Sequence, residues 1–192
     1  YFMKRWLIAI RPKTLSASIS PIILGSAIAF NDGYFQFHIC IITLITSMFI
    51  QIGSNFANDV YDFEKGTDSD DRLGPIRVTQ AGLISPKKMK LAMILIFTLA
   101  MIVGLYLVNI GGIPIIFIGL ASIISGIAYT GGPYPLGYYG LGDIFVFIFF
   151  GLIAVSGTYY LHTNEVTILS LIIGATMGML SNAILVVNNL RD

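Results

Sequence analysis

Charged residues are scarce in this sequence. Only 11% of its 192 residues are Asp, Glu, Lys or Arg, whereas 56% are apolar. Soluble globular proteins carry about 25% charged residues, so the composition excludes an ordinary water-soluble domain. The net charge of +1 gives no indication of nucleic-acid binding, and we predict no nucleic-acid partner.

Cysteine is nearly absent as well. Cys40 is the one cysteine in the sequence, so a disulfide framework within the chain is excluded. It lies in an apolar run, where we interpret it as a small core residue. The first apolar run, 14–30, follows basic residues but lacks a small-residue cleavage site after it. A signal peptide would have one, and we interpret the run as a first membrane span.

Long apolar runs make up most of the chain. A spanning helix needs about 20 apolar residues, with a range of about 17 to 25. Six segments without Asp, Glu, Lys or Arg qualify, at 14–31, 38–57, 91–110, 113–129, 144–161 and 166–187. The predicted fold is all-α, a polytopic transmembrane helical bundle that forms a single domain over residues 1–192.

The basic residues fall on one side of this predicted bundle. If the connections alternate across the bilayer, all 11 Lys and Arg lie in the N-terminus, the loops 58–90 and 130–143, and the C-terminus. The positive-inside rule makes that side cytoplasmic, in a multi-pass protein of the cell membrane. The residues near the opposite surface are interpreted as solvated: Asp32, His38, His162 and Glu165.

A polar stripe follows the second predicted span. Asn55, Asn58, Asp59 and Asp62 have the spacing i, i+3, i+4, i+7, which places them on one face of a continuing helix. Carboxylate and amide oxygens are the ligands that Mg²⁺ prefers, together with substrate phosphates. With the basic residues that follow, the stripe suits a phosphate-rich substrate bridged by a metal. A solvated cytoplasmic loop is the alternative for one such segment taken alone.

The end of the chain repeats the pattern. Residues 188–192 (NNLRD) leave the sixth predicted span as residues 58–62 (NDVYD) leave the second. Both segments read N-[ND]-x-x-D and fall on the same predicted side of the membrane. The repetition favours a site built from two halves over a solvated loop. Because both segments end spans at an interface, we expect their aspartates to be partly buried.

Two further segments have local interpretations. Residues 77–86 predict a turn and then a helix capped by Ser85, with Pro86 at its first position. Local structure does not explain Arg77. The loop 129–143 holds five glycines, two prolines and four tyrosines. It is either an irregular connector with interfacial tyrosines or the mouth of a pocket.

These motifs carry a resemblance to a known family. Asn58-Asp59-x-x-Asp62 and Asn188-x-x-x-Asp192 resemble the paired aspartate motifs of the UbiA-type membrane prenyltransferases. The phrases at 11–15, 62–68, 74–77, 82–85 and 129–137 resemble the branch that prenylates 1,4-dihydroxy-2-naphthoate in menaquinone biosynthesis. The resemblance implies a membrane-bound enzyme that uses Mg²⁺, a polyprenyl diphosphate and an aromatic acceptor, with membrane lipid around it. The oligomeric state is left open.

The resemblance also implies roles for individual residues. The expected metal ligands are Asn58, Asp62, Asp68, Asn188 and Asp192. The expected diphosphate contacts are Arg77, Arg72 and Lys65. The expected catalytic residues are Asp62, Asp192 and Asp59.

The sequence departs from the family pattern at several points. Gly66 stands where the family places a third aspartate, and we expect Asp68 to serve instead. The loop 130–142 lacks the basic residue that members with benzoate-type acceptors often carry. Family members have about nine spans, and their second motif continues past the position of Asp192 to another aspartate. The resemblance therefore predicts the amino-terminal part of the bundle, about two-thirds of the enzyme, inactive on its own.

Two alternatives remain at this point. One is a UbiA-type enzyme with another acceptor, such as 4-hydroxybenzoate or a haem. The other is a cation-dependent transporter. Transporters place ionisable residues near the bilayer midplane, whereas every acidic residue here lies at a predicted interface. That placement favours the enzyme.

Overall fold

A computed structural model describes residues 2–66 and 76–191, and every regular element among them is a helix. The helices are α1 (Phe2–Ile10), α2 (Pro12–Asn31), α3 (Phe37–Lys65), α4 (Pro86–Gly111), α5 (Ile113–Ala128), α6 (Gly142–Thr163) and α7 (Ile168–Arg191). Helix α6 contains a π-helical segment, Phe147–Ile153. The predicted all-α bundle is confirmed.

The described part of the chain has five helices long and apolar enough to cross a membrane, namely α2, α3, α4, α6 and α7. The sequence predicts six spans. The difference lies in α5, which has 16 residues. Such a helix is about 24 Å long, shorter than the bilayer's hydrocarbon core of about 30 Å. All six predicted apolar segments are helical, and only the fourth is too short by this measure.

Helix α3 carries the polar stripe out of the apolar region. Its 29 residues run without interruption from Phe37 to Lys65. Gly66 ends it in the left-handed conformation, at φ 65°, where a residue without a Cβ is favoured. The predicted continuation of the second span as one helix is confirmed, so the stripe stands on a rigid element.

Apolar packing fixes the end of α3 that carries the stripe. Phe56 and Val60 of α3 are buried with Val78 from the following turn and Met89 of α4. The Trp6 ring of α1 meets the Phe56 ring edge-on, with centroids 5.8 Å apart. Helix α1, the turn after α3 and the start of α4 are thereby held around one core.

The opposite end of the bundle corrects one sequence interpretation. His162 is only 4% exposed and is not a solvated interface residue. Its Nδ1 accepts a hydrogen bond from the Gln36 backbone N–H at 3.2 Å, and its Nε2 lies 3.2 Å from Ser26 Oγ. The connection between α2 and α3 folds over the end of α6 and covers the ring, which no local sequence pattern reveals.

The other residues near that end are exposed, as predicted: Asp32, His38 and Glu165. Asp32 also accepts a hydrogen bond from the Tyr159 hydroxyl at 2.9 Å. Cys40 is half-buried rather than a core residue.

Candidate active site

Four segments that the sequence places on one side of the membrane meet at one end of the bundle. Arg5 of α1 donates a hydrogen bond from Nη1 to the Leu83 carbonyl at 3.2 Å. Asn55 of α3 donates from Nδ2 to the Ile10 carbonyl at 2.8 Å and to Thr14 Oγ1 at 3.0 Å. The loop 129–141 joins them through contacts with α3. We call this part of the molecule the charged end.

Asp59 holds the turn 76–85 against α3. The residue is 1% exposed. Its two carboxylate oxygens accept hydrogen bonds from the backbone N–H groups of Val78 at 3.1 Å and Thr79 at 2.9 Å. Arg11 Nη2 lies 3.8 Å from the same carboxylate. These contacts are those of a positioning residue, and the catalytic role expected for Asp59 stays a prediction.

The turn that Asp59 holds places Arg77 beside Asp62. Arg77 Nη2 donates to Asp62 Oδ2 at 2.7 Å, and both side chains are largely buried. The other oxygen, Oδ1, accepts a hydrogen bond from the Tyr138 hydroxyl at 2.6 Å. Asp62 is 5% exposed, so the expected partial burial is wrong for this residue. A predicted metal ligand and a predicted diphosphate contact are thus in direct contact.

Helix α4 starts where the sequence predicts, and Ser85 occupies its N-cap position as expected. Helix α4 begins at Pro86 with Ser85 as the preceding residue, but the Ser85 side chain makes no capping hydrogen bond. The turn 78–84 is instead fixed by its own backbone, with the Leu83 N–H donating to the Val78 carbonyl at 2.9 Å.

The loop 129–141 packs over the last turns of α3. The Thr130 hydroxyl donates to Asn58 Oδ1 at 3.0 Å. Lys65 Nζ donates to the carbonyls of Thr130 at 2.6 Å and Gly132 at 3.2 Å, and lies 5.3 Å from the centre of the Tyr138 ring. The loop therefore packs against side chains of the candidate site, and its interpretation as the mouth of a pocket stays a prediction. Lys65 is engaged with the loop, and its expected contact with diphosphate stays a prediction.

Tyr129 anchors the start of this loop as a neutral phenol. Burial raises the pKa of Tyr129 above its usual value, and the carboxylates of Asp143 and Asp62 raise it further. A tyrosine is already protonated at neutral pH, and the raised pKa extends this neutral form to higher pH. A Cβ at Gly137 would lie 3.0 Å from the Tyr129 ring, which explains a glycine at that position.

The oxygens brought together on α3 fit a magnesium ion. Asn58 supplies an amide oxygen and Asp62 a carboxylate, and both are hard ligands of the kind that Mg²⁺ takes. Among the described residues, no group of three or more His, Cys, Asp or Glu side chains could hold a metal. Because Mg²⁺ usually takes only one or two protein carboxylates beside phosphates and water, the donor set fits one half of such a site.

The structure does not describe the side chains of several predicted site residues. Asp68, Arg72 and Asp192 lie outside the described residues, and the structure describes Asn188 only as part of the α7 backbone. The second half of the site therefore stays a prediction.

Two contacts of the site were not predicted. The sequence predicts no role for Thr130, and it notes the four tyrosines of the loop without distinguishing Tyr138 from the others. Composition could have marked the loop as rich in hydroxyl groups. Which hydroxyl reaches α3 depends on the path of the loop.

We predict that Asp59→Asn destabilises the protein more than Glu64→Gln. An amide oxygen can replace only one of the two acceptors that Asp59 offers to backbone N–H groups. Losing a hydrogen bond to a charged group costs about 1.5–3 kcal/mol. Glu64 pairs with Lys90 at 2.7 Å with both side chains 40% exposed, and an exposed pair is worth about 0–1 kcal/mol. Thermal unfolding of the two variants of the full-length protein in detergent measures the difference, and equal stabilities would contradict the role of Asp59.

The chain is similar to known proteins over nearly its whole length. Residues 18–192 match the UbiA prenyltransferase family. The chain is 43% identical over 194 residues to the 1,4-dihydroxy-2-naphthoate octaprenyltransferase of Escherichia coli (strain K12). The aligned region covers 97% of this chain and 63% of the relative. It is 39% identical over 198 residues to the protein of the same name from Haemophilus influenzae, covering 99% of this chain and 64% of the relative.

A relative from an animal carries a less specific name. The UbiA prenyltransferase domain-containing protein 1 of Danio rerio is 29% identical over 197 residues, covering 97% of this chain and 56% of the relative.

The chain thus spans about 64% of the length of its bacterial relatives or less. The match over residues 18–192 covers both motifs and all spanning helices but the first few residues of α2. The chain belongs to the UbiA prenyltransferase family.

Proposed function

We propose that the full-length protein transfers a polyprenyl group from polyprenyl diphosphate to 1,4-dihydroxy-2-naphthoate in menaquinone biosynthesis, with Mg²⁺ as cofactor. The observation that carries the proposal is the buried contact between Asp62 and Arg77 at 2.7 Å. It sets the carboxylate proposed to bind the metal beside the cation proposed to bind the diphosphate, in a member of the UbiA family. The names of the bacterial relatives support the naphthoate acceptor.

The side chains at the charged end suit the breaking of an allylic diphosphate. When the C–O bond breaks, its electron pair stays on the diphosphate oxygen, and the electron-rich ring of the acceptor supplies the pair for the new bond to carbon. The ring becomes aromatic again when the bond to the group at the attacked carbon breaks, and that group leaves as a proton or as carbon dioxide. A bound Mg²⁺ would neutralise the charge that develops on the diphosphate. Arg77 offers a planar fork of N–H donors that matches phosphate oxygens. Its turn is already held in place by Asp59, so little reorganisation is needed.

An apolar groove offers a place for the isoprenoid tail. It lies between α2 and α7 and has a volume of about 790 Å³. Its lining is mostly aliphatic: Ser20, Ile23, Leu24, Met177, Leu180, Ala183, Ile184 and Val187. The groove follows α7 toward Asn188, where the second motif begins. A hydrocarbon chain in it would be shielded from water, and water would be kept from a reactive allylic cation.

We also propose that the charged end faces the cytoplasm of a cell membrane, since all 11 Lys and Arg belong to segments assigned to that side. In a Cys40-free variant, an exposed cysteine placed at Lys87 should react with an impermeant maleimide only when the cytoplasmic face is accessible. A cysteine at Glu165, which is exposed at the other end of the bundle, is the matched control and should show the opposite pattern. Labelling of the cysteine at position 87 in intact cells would show that the proposed orientation is wrong.

The acceptor can be tested by competition. Membranes containing the full-length protein should be offered 1,4-dihydroxy-2-naphthoate and 4-hydroxybenzoate with the same polyprenyl diphosphate. We expect prenylation of the naphthoate, because the sequence phrases of that branch are present and the loop 130–142 lacks a basic residue. Preferential prenylation of the benzoate would contradict the acceptor and leave the family unchanged.

The two-half site predicts matched losses of activity. Asp62→Asn and Asp192→Asn in the full-length protein should each lower turnover about 100-fold or more, as expected when a group that stabilises the developing charge is lost. The double variant should be little worse than either single one, because residues that act as a unit are non-additive. Glu64→Gln, an exposed change on the same helix, is the control and should keep full turnover.

Turnover is normalised to the folded fraction, because Asp62 also pairs with Arg77. Near-normal Mg²⁺-dependent turnover in a single variant would remove that residue from the site. The same result in both variants would refute the two-half arrangement.

A further inference from the structure

The two oxygens on α3 assigned to the metal share one feature. Asn58 Oδ1 and Asp62 Oδ1 each accept a hydrogen bond from a hydroxyl group, and both hydroxyls belong to the loop 129–141. Thr130 donates to Asn58 at 3.0 Å, and Tyr138 donates to Asp62 at 2.6 Å. The two acceptors are one helical turn apart on α3, whereas the donors are eight residues apart in the loop. The fold of the loop therefore places the two hydroxyls at the spacing of one turn of α3, so each reaches its acceptor.

The loop presents these hydroxyls from a defined backbone. The Leu136 N–H donates to the Ala128 carbonyl at 3.0 Å, and the Gly137 N–H donates to the Tyr129 carbonyl at 2.9 Å. Lys65 fastens the loop to α3 through the Thr130 carbonyl. A Cβ at Gly131 would lie 2.9 Å from the Tyr61 ring, so the backbone there lies against α3. Thr130 is buried, and its hydroxyl is not a surface group that happens to lie near Asn58.

Such hydrogen bonds have a direct effect on metal binding. The terminal torsions of Asn and Asp side chains have broad minima, so an unsupported oxygen samples many directions. An oxygen that accepts one hydrogen bond keeps a second lone pair for a cation. Partners of this kind commonly contribute about 10-fold to 100-fold in metal affinity. At Asp62, Arg77 donates to Oδ2 and Tyr138 donates to Oδ1, so the Tyr138 hydroxyl acts on the direction of Oδ1.

We propose that Thr130 and Tyr138 are positioning residues of the metal site, whose hydroxyls hold Asn58 Oδ1 and Asp62 Oδ1 in the direction needed to bind a divalent cation. The proposal rests on the proposed function, because it takes Asn58 and Asp62 as metal ligands. It adds that the loop between α5 and α6 is part of the metal site through these two hydroxyls.

The test measures metal binding rather than turnover. Mn²⁺ is titrated into the full-length protein in nanodiscs, with and without inorganic diphosphate, and bound ion is followed by electron paramagnetic resonance. Tyr138→Phe and Thr130→Val each remove one hydroxyl with little change of shape, and each should raise the dissociation constant for Mn²⁺ about 10-fold. Thr130→Ser keeps the hydroxyl and should restore binding to near the wild-type value.

Tyr139→Phe is the matched control. Tyr139 lies in the same loop, but among the described residues its hydroxyl makes no hydrogen bond to Asn58 or Asp62, so its loss should leave Mn²⁺ binding unchanged. Thermal unfolding of each variant without metal separates misfolding from a local effect. If a variant fails to fold, the Mn²⁺ affinities of Thr130→Ser and wild type are compared instead. These two affinities must agree.

Each result has a distinct meaning. Unchanged or tighter Mn²⁺ binding in Tyr138→Phe or in Thr130→Val, with normal binding by wild type, would overturn the role of that residue, and the same result in both would overturn this proposal alone. Weak binding by Thr130→Ser would also contradict it, because the hydroxyl would then not be the cause. Failure of the wild-type protein to bind Mn²⁺ under either condition would contradict the metal site of the proposed function and the present proposal together.

Discussion

The buried carboxylate of Asp59 is the interaction on which the charged end depends. Burying an unpaired charge costs several kcal/mol, so a carboxylate that is 1% exposed must be satisfied locally. The backbone N–H groups of Val78 and Thr79 satisfy it, with Arg11 nearby. Arg77 directly precedes Val78, so the contacts that fix the turn on Asp59 also fix Arg77. Its guanidinium then lies against Asp62, which is one helical turn after Asp59 on α3. One buried charge thus sets the position of the cation assigned to the diphosphate.

The bilayer explains why so many polar contacts are concentrated here. Backbone polar groups within the hydrocarbon must be satisfied inside the helices, and ionisable side chains are costly there, so the spans of this chain are apolar and its charges lie at their ends. The ends of the bundle can hold charges, and each end solves that problem differently. At the far end, His162 is covered by the connection between α2 and α3. At the charged end, an uninterrupted α3 carries Asn58 and Asp62 beyond its apolar part, so both stand on a rigid support.

The helices and the polar stripe could be predicted from the sequence, because hydrophobic runs and the spacing of polar residues are local properties. The difference between Asp59 and Asp62 could not. Both lie on the same stripe, and only the path of the turn 76–85 makes one carboxylate a support for the backbone and the other a partner of Arg77. The burial of Asp62 and the reach of Tyr138 likewise depend on the loop 129–141, which is far from α3 in sequence. Tertiary contacts of irregular segments determine these features.

The coordination demands of magnesium give a reason for a site divided between two motifs. Mg²⁺ requires near-octahedral oxygen ligands at about 2.0–2.1 Å, and Asn58 and Asp62 on one helix face can fill only part of that shell. Ligands from elsewhere must be placed with similar accuracy, which helices achieve better than loops. Helix α7 is suited to this, because it packs tightly on α6, where a Cβ at Gly151 would lie 2.6 Å from the Gly178 Cα. A side chain at either glycine would push the helices apart and displace the motif that begins at Asn188. The close crossing of α6 and α7 therefore fixes the position of the helix that carries the second motif, as well as the packing of the bundle.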